Sequence, residues 1–168
     1  LRMNSGCFNR EFKDILISAQ AIDKFGKVLT IPRNKIKFAY RTSNLPEDII
    51  FLSATFQGYE KNKNLIEKKI NSLKNKKELA QPTRIKTGGS TFKNPVNQSS
   101  KKVWELIKES VPLDIKFGDA AISHKHCNFL INKKNAKFEE MKKLINFVKD
   151  QVFSKTRIKL DLEIILVE

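Results

Sequence analysis

Ile15 to Ile22 (ILISAQAI) alternates apolar with small or polar side chains at period two, which predicts a β-strand with one buried face. The same alternation runs from Lys37 to Tyr40 and from Ile49 to Phe56 (IIFLSATF). Turn signals separate these segments, since Asp23 to Gly26 is typical of a hairpin connection and Asn44 to Pro46 of a turn. The first part of the chain is therefore predicted to form a small sheet.

The apolar pattern changes to helical spacing further along the chain. Glu60 to Leu79 is rich in Lys, Asn and Glu and is predicted to be a surface helix with one apolar stripe, made of Leu65, Ile66, Ile70 and Leu73. A short helix is predicted around Trp104, with Ser99 or Ser100 as its cap. The clearest helix has apolar residues at i, i+3, i+4, i+7 and i+11, namely Met141, Leu144, Ile145, Val148 and Val152.

Two further strands are predicted in the second part of the chain, Cys127 to Ile131 and Ile158 to Val167. Pro82, the glycine pair at 88–89 and the polar stretch 97–100 punctuate the sequence before them. We therefore expect a first domain over residues 1–80 and a second over 81–168. Strands followed by helices mixed with strands predict an α+β fold.

Composition limits the classes of function. The chain has 168 residues, 40% of them hydrophobic, which is enough for one ordinary domain or two small ones. Lys and Arg number 33 against 18 Asp and Glu, and the net charge of +15 favours an anionic partner, although the charge is spread along the chain and is mostly Lys. Cys7 and Cys127 are too far apart in sequence for a metal-type pair and too few for a disulfide framework, which indicates a reducing compartment.

The sequence shows no membrane-spanning run and no basic-then-apolar leader, so we expect a soluble, cytoplasmic protein. It begins at Leu1 instead of an initiator Met, and the residues that follow are typical of the middle of a structured segment. We therefore expect the chain to be a fragment.

Thr87 to Pro95 (TGGSTFKNP) has the composition of a polar ligand site. Its glycines allow close backbone approach or positive φ, while Ser90, Lys93 and Asn94 supply a hydroxyl, a cation and an amide. On spacing alone, a glycine turn whose serine bonds local backbone is favoured over a ligand site. The segment lacks G-x-S-x-G, so a hydrolase nucleophile elbow is not supported.

Arg41 and Glu163 are the other candidates for chemistry. Arg41 follows Tyr40 at a predicted strand end, and its planar guanidinium suits a carboxylate or an enolate oxygen. An exposed or carboxylate-paired arginine is the alternative. Glu163 lies on the face of the last predicted strand opposite Leu162. A partly desolvated carboxyl there suits a proton donor or a partner for a developing oxyanion, and an edge-strand glutamate in water is the alternative.

His124, His126 and Cys127 are candidate metal ligands, because H-x-H on a strand points both rings the same way. A closed structural zinc site needs four ligands, and the sequence has no second cluster to supply them. Structural or ligand-contacting histidines are therefore favoured, and no metal is predicted.

In order and in type, these segments resemble the UDP-N-acetylenolpyruvoylglucosamine reductase family. The family's Asn-x-Gly-x-Tyr-Gly is similar to Asn4 to Asn9, with Phe for the tyrosine and Asn, which tolerates positive φ, for the closing glycine. Tyr-Arg matches Tyr40-Arg41, and Gly-Ser-x-Phe-Lys-Asn-Pro matches Gly89 to Pro95 at every fixed position. Gly118 to Asn132 and Leu160 to Ile164 resemble the family's Lys-His-x-Asn-Phe-x-x-Asn and Leu-Glu-x-Glu-Val segments.

The resemblance implies the end of a flavin-binding domain, a small mostly antiparallel sheet with helices, followed by a small α+β substrate-binding domain. The amino-terminal FAD-binding part would lie outside this chain and be its partner. The implied enzyme uses FAD and NADPH to reduce UDP-N-acetylglucosamine enolpyruvate to UDP-N-acetylmuramate for peptidoglycan, with neither nucleic acid nor membrane as a partner. By the resemblance, the catalytic residues would be Arg41, Ser90 and Glu163. The substrate would be bound by Tyr40, Lys93 and Asn94. The flavin would be contacted by Asn4, Gly6, Cys7 and Phe8.

Two alternatives stay open at the level of sequence. A basic nucleic-acid-binding module would account for the charge of +15 and for aromatics near lysines, such as Phe38, Tyr40 and Phe92. A non-catalytic relative that keeps the sugar-nucleotide site would account for the matched motifs.

Overall fold

The computed structural model describes residues 1–167 and confirms the α+β fold. Contacts within the chain separate two compact units, Leu1–Asn62 and a second unit that begins at Lys63. The sequence placed the boundary after residue 80, beyond the long helix. The helix groups with the second unit, where the Lys125 ammonium donates to the Glu78 carbonyl near the helix end. The functions expected of the two domains stay predictions.

The first unit is built from seven short strands. They are β1 (Gly6–Cys7), β2 (Arg10–Glu11), β3 (Leu16–Ile22), β4 (Val28–Pro32), β5 (Phe38–Ala39), β6 (Thr42–Ser43) and β7 (Ile50–Phe56), with 3-10 turns at Phe12–Asp14 and Arg33–Lys35. Strands β4, β3 and β7 form an antiparallel sheet in that order, while β1–β2 and β5–β6 are separate hairpins. The predicted strands at 15–22 and 49–56 are thereby confirmed.

One prediction for this unit is met only in part, and another is confirmed. The predicted strand at 37–40 is reduced to β5, because Tyr40 and Arg41 form the turn of the β5–β6 hairpin and Arg41 has φ of 53°. Arg41 therefore lies in a tight turn and not at the end of a longer strand. The hairpin at Asp23–Gly26 is confirmed: Gly26 has φ of 82°, and the Asp23 carboxylate accepts hydrogen bonds from Phe25 N and Lys27 N, both at 2.9 Å.

The second unit places helices over a four-stranded antiparallel sheet. Its elements are α1 (Lys63–Ala80), β8 (Lys86–Ser90), α2 (Val103–Ser110), β9 (Lys116–Phe117), β10 (Ala120–Ile122), β11 (Phe129–Asn132) and α3 (Phe138–Thr156), and the strand order is β8-β11-β10-β9. The core joins α2 and α3 to the sheet through fully buried side chains such as Ile107, Ile122, Leu144 and Val148. Along residues 1–167, none of the helices is both long and apolar enough to cross a membrane.

Helices α1 and α3 confirm their predicted patterns. Helix α3 buries Leu144, Ile145, Val148 and Val152, four members of the predicted stripe. Helix α1 is a surface helix with no buried residue, so its apolar stripe is largely open to solvent.

The predicted cap of α2 by Ser99 or Ser100 is wrong. The Glu105 carboxylate accepts from Lys102 N at 2.6 Å, and the Asn94 side-chain oxygen accepts from Val103 N at 3.0 Å. A carboxylate at the third helical position and an amide from an earlier loop therefore satisfy the first free N–H groups of the helix.

The last predicted strand, 158–167, is also not formed. Among the described residues it has one isolated antiparallel bridge, Leu162 opposite Phe92. The expected alternation is still present, because Leu160 is buried and Leu162 and Ile164 pack against the core while Ile165 and Val167 are exposed. The backbone partner of this segment is the short stretch after β8, where Glu163 N donates to the Thr91 carbonyl and Lys93 N to the Asp161 carbonyl.

Candidate functional site

The β1–β2 hairpin of the first unit carries three predicted flavin contacts, Gly6, Cys7 and Phe8. Its two turn residues, Phe8 and Asn9, have φ of 52° and 60°, the left-handed pattern of a tight type I′ hairpin turn. Asparagine adopts this conformation more readily than most residues, so the replacement of the family's glycine is accommodated as expected. A Cβ on Gly6 would lie 3.0 Å from the Arg10 carbonyl oxygen, which explains the glycine.

Asn4, the fourth predicted flavin contact, is fully buried with φ of 42°. Its side-chain nitrogen donates to the Glu11 carboxylate at 3.1 Å and to the Ala39 carbonyl at 3.3 Å. Its side-chain oxygen accepts from Lys13 N at 3.2 Å. The amide of Asn4 therefore connects the β1–β2 hairpin with the strand that leads into Tyr40 and Arg41.

An open cleft of about 450 Å³ lies against this hairpin. Its lining consists of hairpin residues, two polar residues that follow the hairpin, and the β5–β6 turn: Gly6, Cys7, Phe8, Asn9, Arg10, Glu11, Lys13, Asp14, Tyr40 and Arg41. The Arg41 guanidinium lies 5.1 Å from the centre of the Tyr40 ring. The cleft thus combines aromatic surface with cations, and it collects the predicted site residues of the first unit except Asn4.

The charges of this cleft are partly paired. The Lys13 ammonium lies 2.5 Å from the Glu11 carboxylate, and this hydrogen bond lowers the pKa of Glu11 below its usual range. The Asp14 carboxylate accepts from Glu11 N at 2.8 Å.

In the second unit, Ser90 ends strand β8 opposite Phe129. Gly89, just before it, has φ of 91°, which requires glycine. The Thr87 hydroxyl donates to the Leu130 carbonyl at 2.7 Å and accepts from Gly89 N at 3.2 Å. The local backbone is therefore satisfied by Thr87, while Ser90 stays partly exposed at the end of the strand.

Glu163 lies beside the residues that follow Ser90. Glu163 N donates to the Thr91 carbonyl, and Lys93 N donates to the Asp161 carbonyl, both at 2.9 Å. At the same segment, a Cβ on Gly88 would lie 3.4 Å from a methyl carbon of Ile164. Segments 88–93 and 161–164 therefore run side by side, so the backbone of Glu163 lies one residue away from Ser90 along this pairing.

Lys93 and Asn94 follow directly on this paired segment. Both are partly exposed, and the Asn94 side-chain oxygen holds the first N–H of α2. Asn94 therefore has a structural role at the start of α2, beside the substrate-binding role implied by resemblance.

A family model described as UDP-N-acetylenolpyruvoylglucosamine reductase, C-terminal domain, matches residues 81–167 of this chain. The chain belongs to the UDP-N-acetylenolpyruvoylglucosamine reductase family. The reductase named for Pelagibacter ubique is 63% identical over 164 residues, covering 98% of this chain and 54% of that protein. One from Rickettsia bellii is 42% identical over 162 residues, covering 96% of this chain and 53% of its own length.

Structural comparison agrees with the family. The crystal structure of UDP-N-acetylenolpyruvylglucosamine reductase from Thermus caldophilus is similar with a TM-score of 0.79 and 28% identity, over 96% of this chain and 57% of that one. The chain thus spans about half the length of the reductases it matches. Membership of this reductase family argues against the nucleic-acid-binding alternative, which rested on net charge and on aromatics near lysines.

A second cleft, of about 400 Å³, lies in the second unit and includes His124, His126 and Cys127, which the sequence analysis had singled out. It is lined by Trp104, Lys108, Leu113, His124, Lys125, His126 and Cys127. Burial lowers the pKa of His126 and raises that of the Cys127 thiol, which donates to the Trp104 carbonyl at 3.0 Å. Within residues 1–167, no three His, Cys, Asp or Glu side chains are grouped to hold a metal ion.

Proposed function

We propose that this chain is the carboxyl-terminal part of an NADPH- and FAD-dependent reductase that converts UDP-N-acetylglucosamine enolpyruvate to UDP-N-acetylmuramate for peptidoglycan. The observation that carries the proposal is the hydrogen bond from Glu163 N to the Thr91 carbonyl. It supports a role for Glu163 and Ser90 in one reaction, because it joins a carboxylate-bearing segment to the hydroxyl-bearing end of β8.

The residues of the first cleft fit contacts to a flavin. The hairpin offers backbone made accessible by Gly6, the half-exposed ring of Phe8, and the cations Arg10 and Lys13. Bound FAD would supply to C3 of the enolpyruvyl group the hydride that it takes from NADPH. The glycine-rich loops that hold the flavin pyrophosphate in this family have no counterpart in the chain, so tight binding would require the amino-terminal part of the enzyme.

Residues of this chain would stabilise the negative charge that develops on the substrate and would deliver the proton to it. When hydride arrives at C3, negative charge develops on the enol at C2 and on its carboxylate, and Arg41 would bind and stabilise that carboxylate. Glu163 would act as a hydrogen-bonding partner for the developing oxyanion. The Ser90 hydroxyl would give its proton to C2, which completes reduction of the double bond.

The substrate-binding roles follow the same chemistry. Lys93 supplies a cation for the diphosphate or for the alkoxide left on Ser90, and Asn94 and Tyr40 would contact the sugar nucleotide. Leu162 and Ile164, on either side of Glu163, pack against the core and would fix the backbone that carries its carboxylate.

A chimeric reductase tests the proposal: the Pelagibacter ubique relative with its matching part replaced by this chain. The chimera should bind FAD, lose flavin absorbance when NADPH is added without oxygen, and regain it on addition of UDP-N-acetylglucosamine enolpyruvate, with formation of UDP-N-acetylmuramate. A chimera whose NADPH-reduced flavin is not reoxidised by this substrate contradicts the proposed function.

Ser90→Ala in the chimera separates proton transfer from the earlier hydride step. Flavin reduction by NADPH should persist, while reoxidation by the enolpyruvyl substrate should fall by about 10²–10⁴-fold. Ser99→Ala is the matched control, because the Ser99 hydroxyl accepts only from the exposed Lys101 N within the described hydrogen bonds. Reoxidation of Ser90→Ala at the parent rate would favour a different proton donor.

The isolated chain provides a second test. We expect residues 1–168 alone neither to hold FAD tightly nor to turn over, since the flavin pyrophosphate loops are missing. A yellow, NADPH-oxidising preparation of these residues would contradict this expectation.

A further inference from the structure

Asn128 holds the backbone that follows Ser90. It is 4% exposed, and its side-chain oxygen accepts from Phe92 N at 3.0 Å while its side-chain nitrogen donates to the Phe92 carbonyl at 2.9 Å. Its own carbonyl accepts from Thr91 N at 2.8 Å. The regular pairing of β8 with β11 ends at Ser90 opposite Phe129, so the Asn128 side chain continues the ladder for one residue more.

The opposite edge of the same backbone carries Glu163. Thr91 N donates to Asn128, and the Thr91 carbonyl accepts from Glu163 N at 2.9 Å. Phe92, whose ring is buried in the core, is bracketed by Asn128 on one side and pairs with Leu162 on the other. One short stretch of backbone thus connects Asn128, the end of β8 and the segment of Glu163.

We propose that Asn128 is a positioning residue for the reductase reaction, which fixes residues 91–92 so that the end of β8 and the segment of Glu163 stay paired. The inference rests on the proposed function for its catalytic consequence, and on the hydrogen bonds above for its structural one. Asn128 itself touches neither reacting group and acts through the backbone of Thr91 and Phe92.

The chemistry of this position selects asparagine. Phe92 needs both a donor and an acceptor on its partner, and a primary amide supplies both on one short side chain. An ionised aspartate of the same shape has acceptors only and would face the Phe92 carbonyl without a proton. Alanine would leave a buried N–H and a buried carbonyl unsatisfied.

The first experiment uses Asn128→Ala in the chimeric reductase. Flavin reduction by NADPH should stay within about twofold of the parent, while reoxidation by the enolpyruvyl substrate should slow on the order of 10²-fold, the usual cost of misplacing a reacting group by about 1 Å. The matched control is Asn132→Ala on the same strand, whose side-chain oxygen accepts from Lys134 N and Ala136 N at the other end of β11. Reoxidation of Asn128→Ala at the parent rate, or an equal loss in the control, overturns the proposal.

Asn128→Asp adds a pH-dependent readout, taken over the pH range in which the variant stays folded. When protonated, the aspartic acid regains a donor for the Phe92 carbonyl, and burial raises the pKa of such a carboxyl. The reoxidation rate of this variant, divided by the parent rate, should therefore rise as pH falls. Dividing by the parent removes the titrations of the neighbouring His126, Lys93, Asp161 and Glu163. A ratio that does not change with pH overturns the proposal.

The isolated chain of 168 residues gives a test that needs no catalysis. In Asn128→Ala, the amide protons of Phe92 and Glu163 should exchange faster with solvent, whereas in Asn132→Ala the faster exchange should be at Lys134 and Ala136. Unchanged protection of the Glu163 amide overturns the structural part of the inference. Failure of the parent chimera to reduce the substrate would count against the proposed function alone.

Discussion

Asn4 and Asn128 are buried asparagines in different units, and each organises a stretch of candidate site residues. Asn4 has a left-handed backbone and reaches three separate segments, through the Glu11 carboxylate, the Ala39 carbonyl and Lys13 N. Asn128 bonds the backbone of one residue, Phe92, with both its side-chain oxygen and its side-chain nitrogen.

The comparison shows two ways to support a site with the same side chain. The first unit has an open cleft on tight turns, and its asparagine depends on a charged partner that is accessible to solvent. The second unit has a strand end whose asparagine bonds neutral backbone groups beside the hydrophobic core. We therefore expect the stability of the first arrangement to depend on its turn residues and on pH. The stability of the second should depend on core packing.

The largest effect should come from Phe92→Ala. Phe92 is 1% exposed in the core of the second unit, and removal of a buried phenylalanine ring costs about 3–5 kcal/mol of unfolding free energy. Urea unfolding followed by fluorescence of Trp104, the single tryptophan, reports this unit. Phe8→Ala is the control in the first unit, where unfolding is followed by the NMR signals of β3: Phe8 is 47% exposed, and the change should be within about 0.5 kcal/mol. Similar losses in both variants would contradict the contrast in packing.

Asn4→Ala should have the next largest effect. It leaves the partly buried Lys13 N and Ala39 carbonyl without their partner, and an unsatisfied group costs about 1–3 kcal/mol where water does not reach it. Hydrogen exchange over residues 1–62, read by mass spectrometry, measures the loss within this unit. Asn44→Ala is the control, since the exposed Asn44 side chain accepts from Lys37 N. Equal exchange in the two variants would show that Asn4 is not an organiser.

Sequence periodicity predicted the parts of the fold that depend on local pattern. Helix α3, strand β3 and the hairpin at Asp23–Gly26 all follow from spacing and turn residues, and each is formed. In these cases the residues that specify the structure are neighbours along the chain.

The failures involve partners that are distant in sequence. Strand β4 received no prediction, because it is a partly exposed edge strand that ends at Pro32 and has a weak pattern. Residues 158–167 have strand alternation but no regular strand beside them. Asn128 bonds a residue 36 positions away, so its role depends on the register of β8 and β11, which sequence spacing does not give.

The turn at Asn9 provides a smaller test of the first unit. Asn9 has φ of 60°, and a β-branched residue there should cost about 1–2 kcal/mol because of its clash with the neighbouring carbonyl. Asn9→Val should therefore speed hydrogen exchange of the β1–β2 hairpin, while Asn9→Gly, which restores the family's residue, should not. A destabilised glycine variant would mean that the asparagine side chain, and not its backbone, supports the turn.

The smallest effect we expect is the pH response of the Asn4 network. The pKa of Glu11 is lowered in the folded chain, chiefly by its hydrogen bond with Lys13, so the ionised form stabilises the fold. This stabilisation is complete above the unfolded glutamate pKa of about 4.3 and is lost as pH falls through the lower folded value. Urea titrations at several pH values, followed by the NMR signals of β3, measure it in the first unit. Glu11→Gln should remove this part of the pH dependence. Protection of the Phe92 amide from exchange should not change over the same pH range, because the Asn128 side chain bonds neutral backbone groups. A parent and a Glu11→Gln variant with the same pH profile would show that Asn4, like Asn128, works independently of charge.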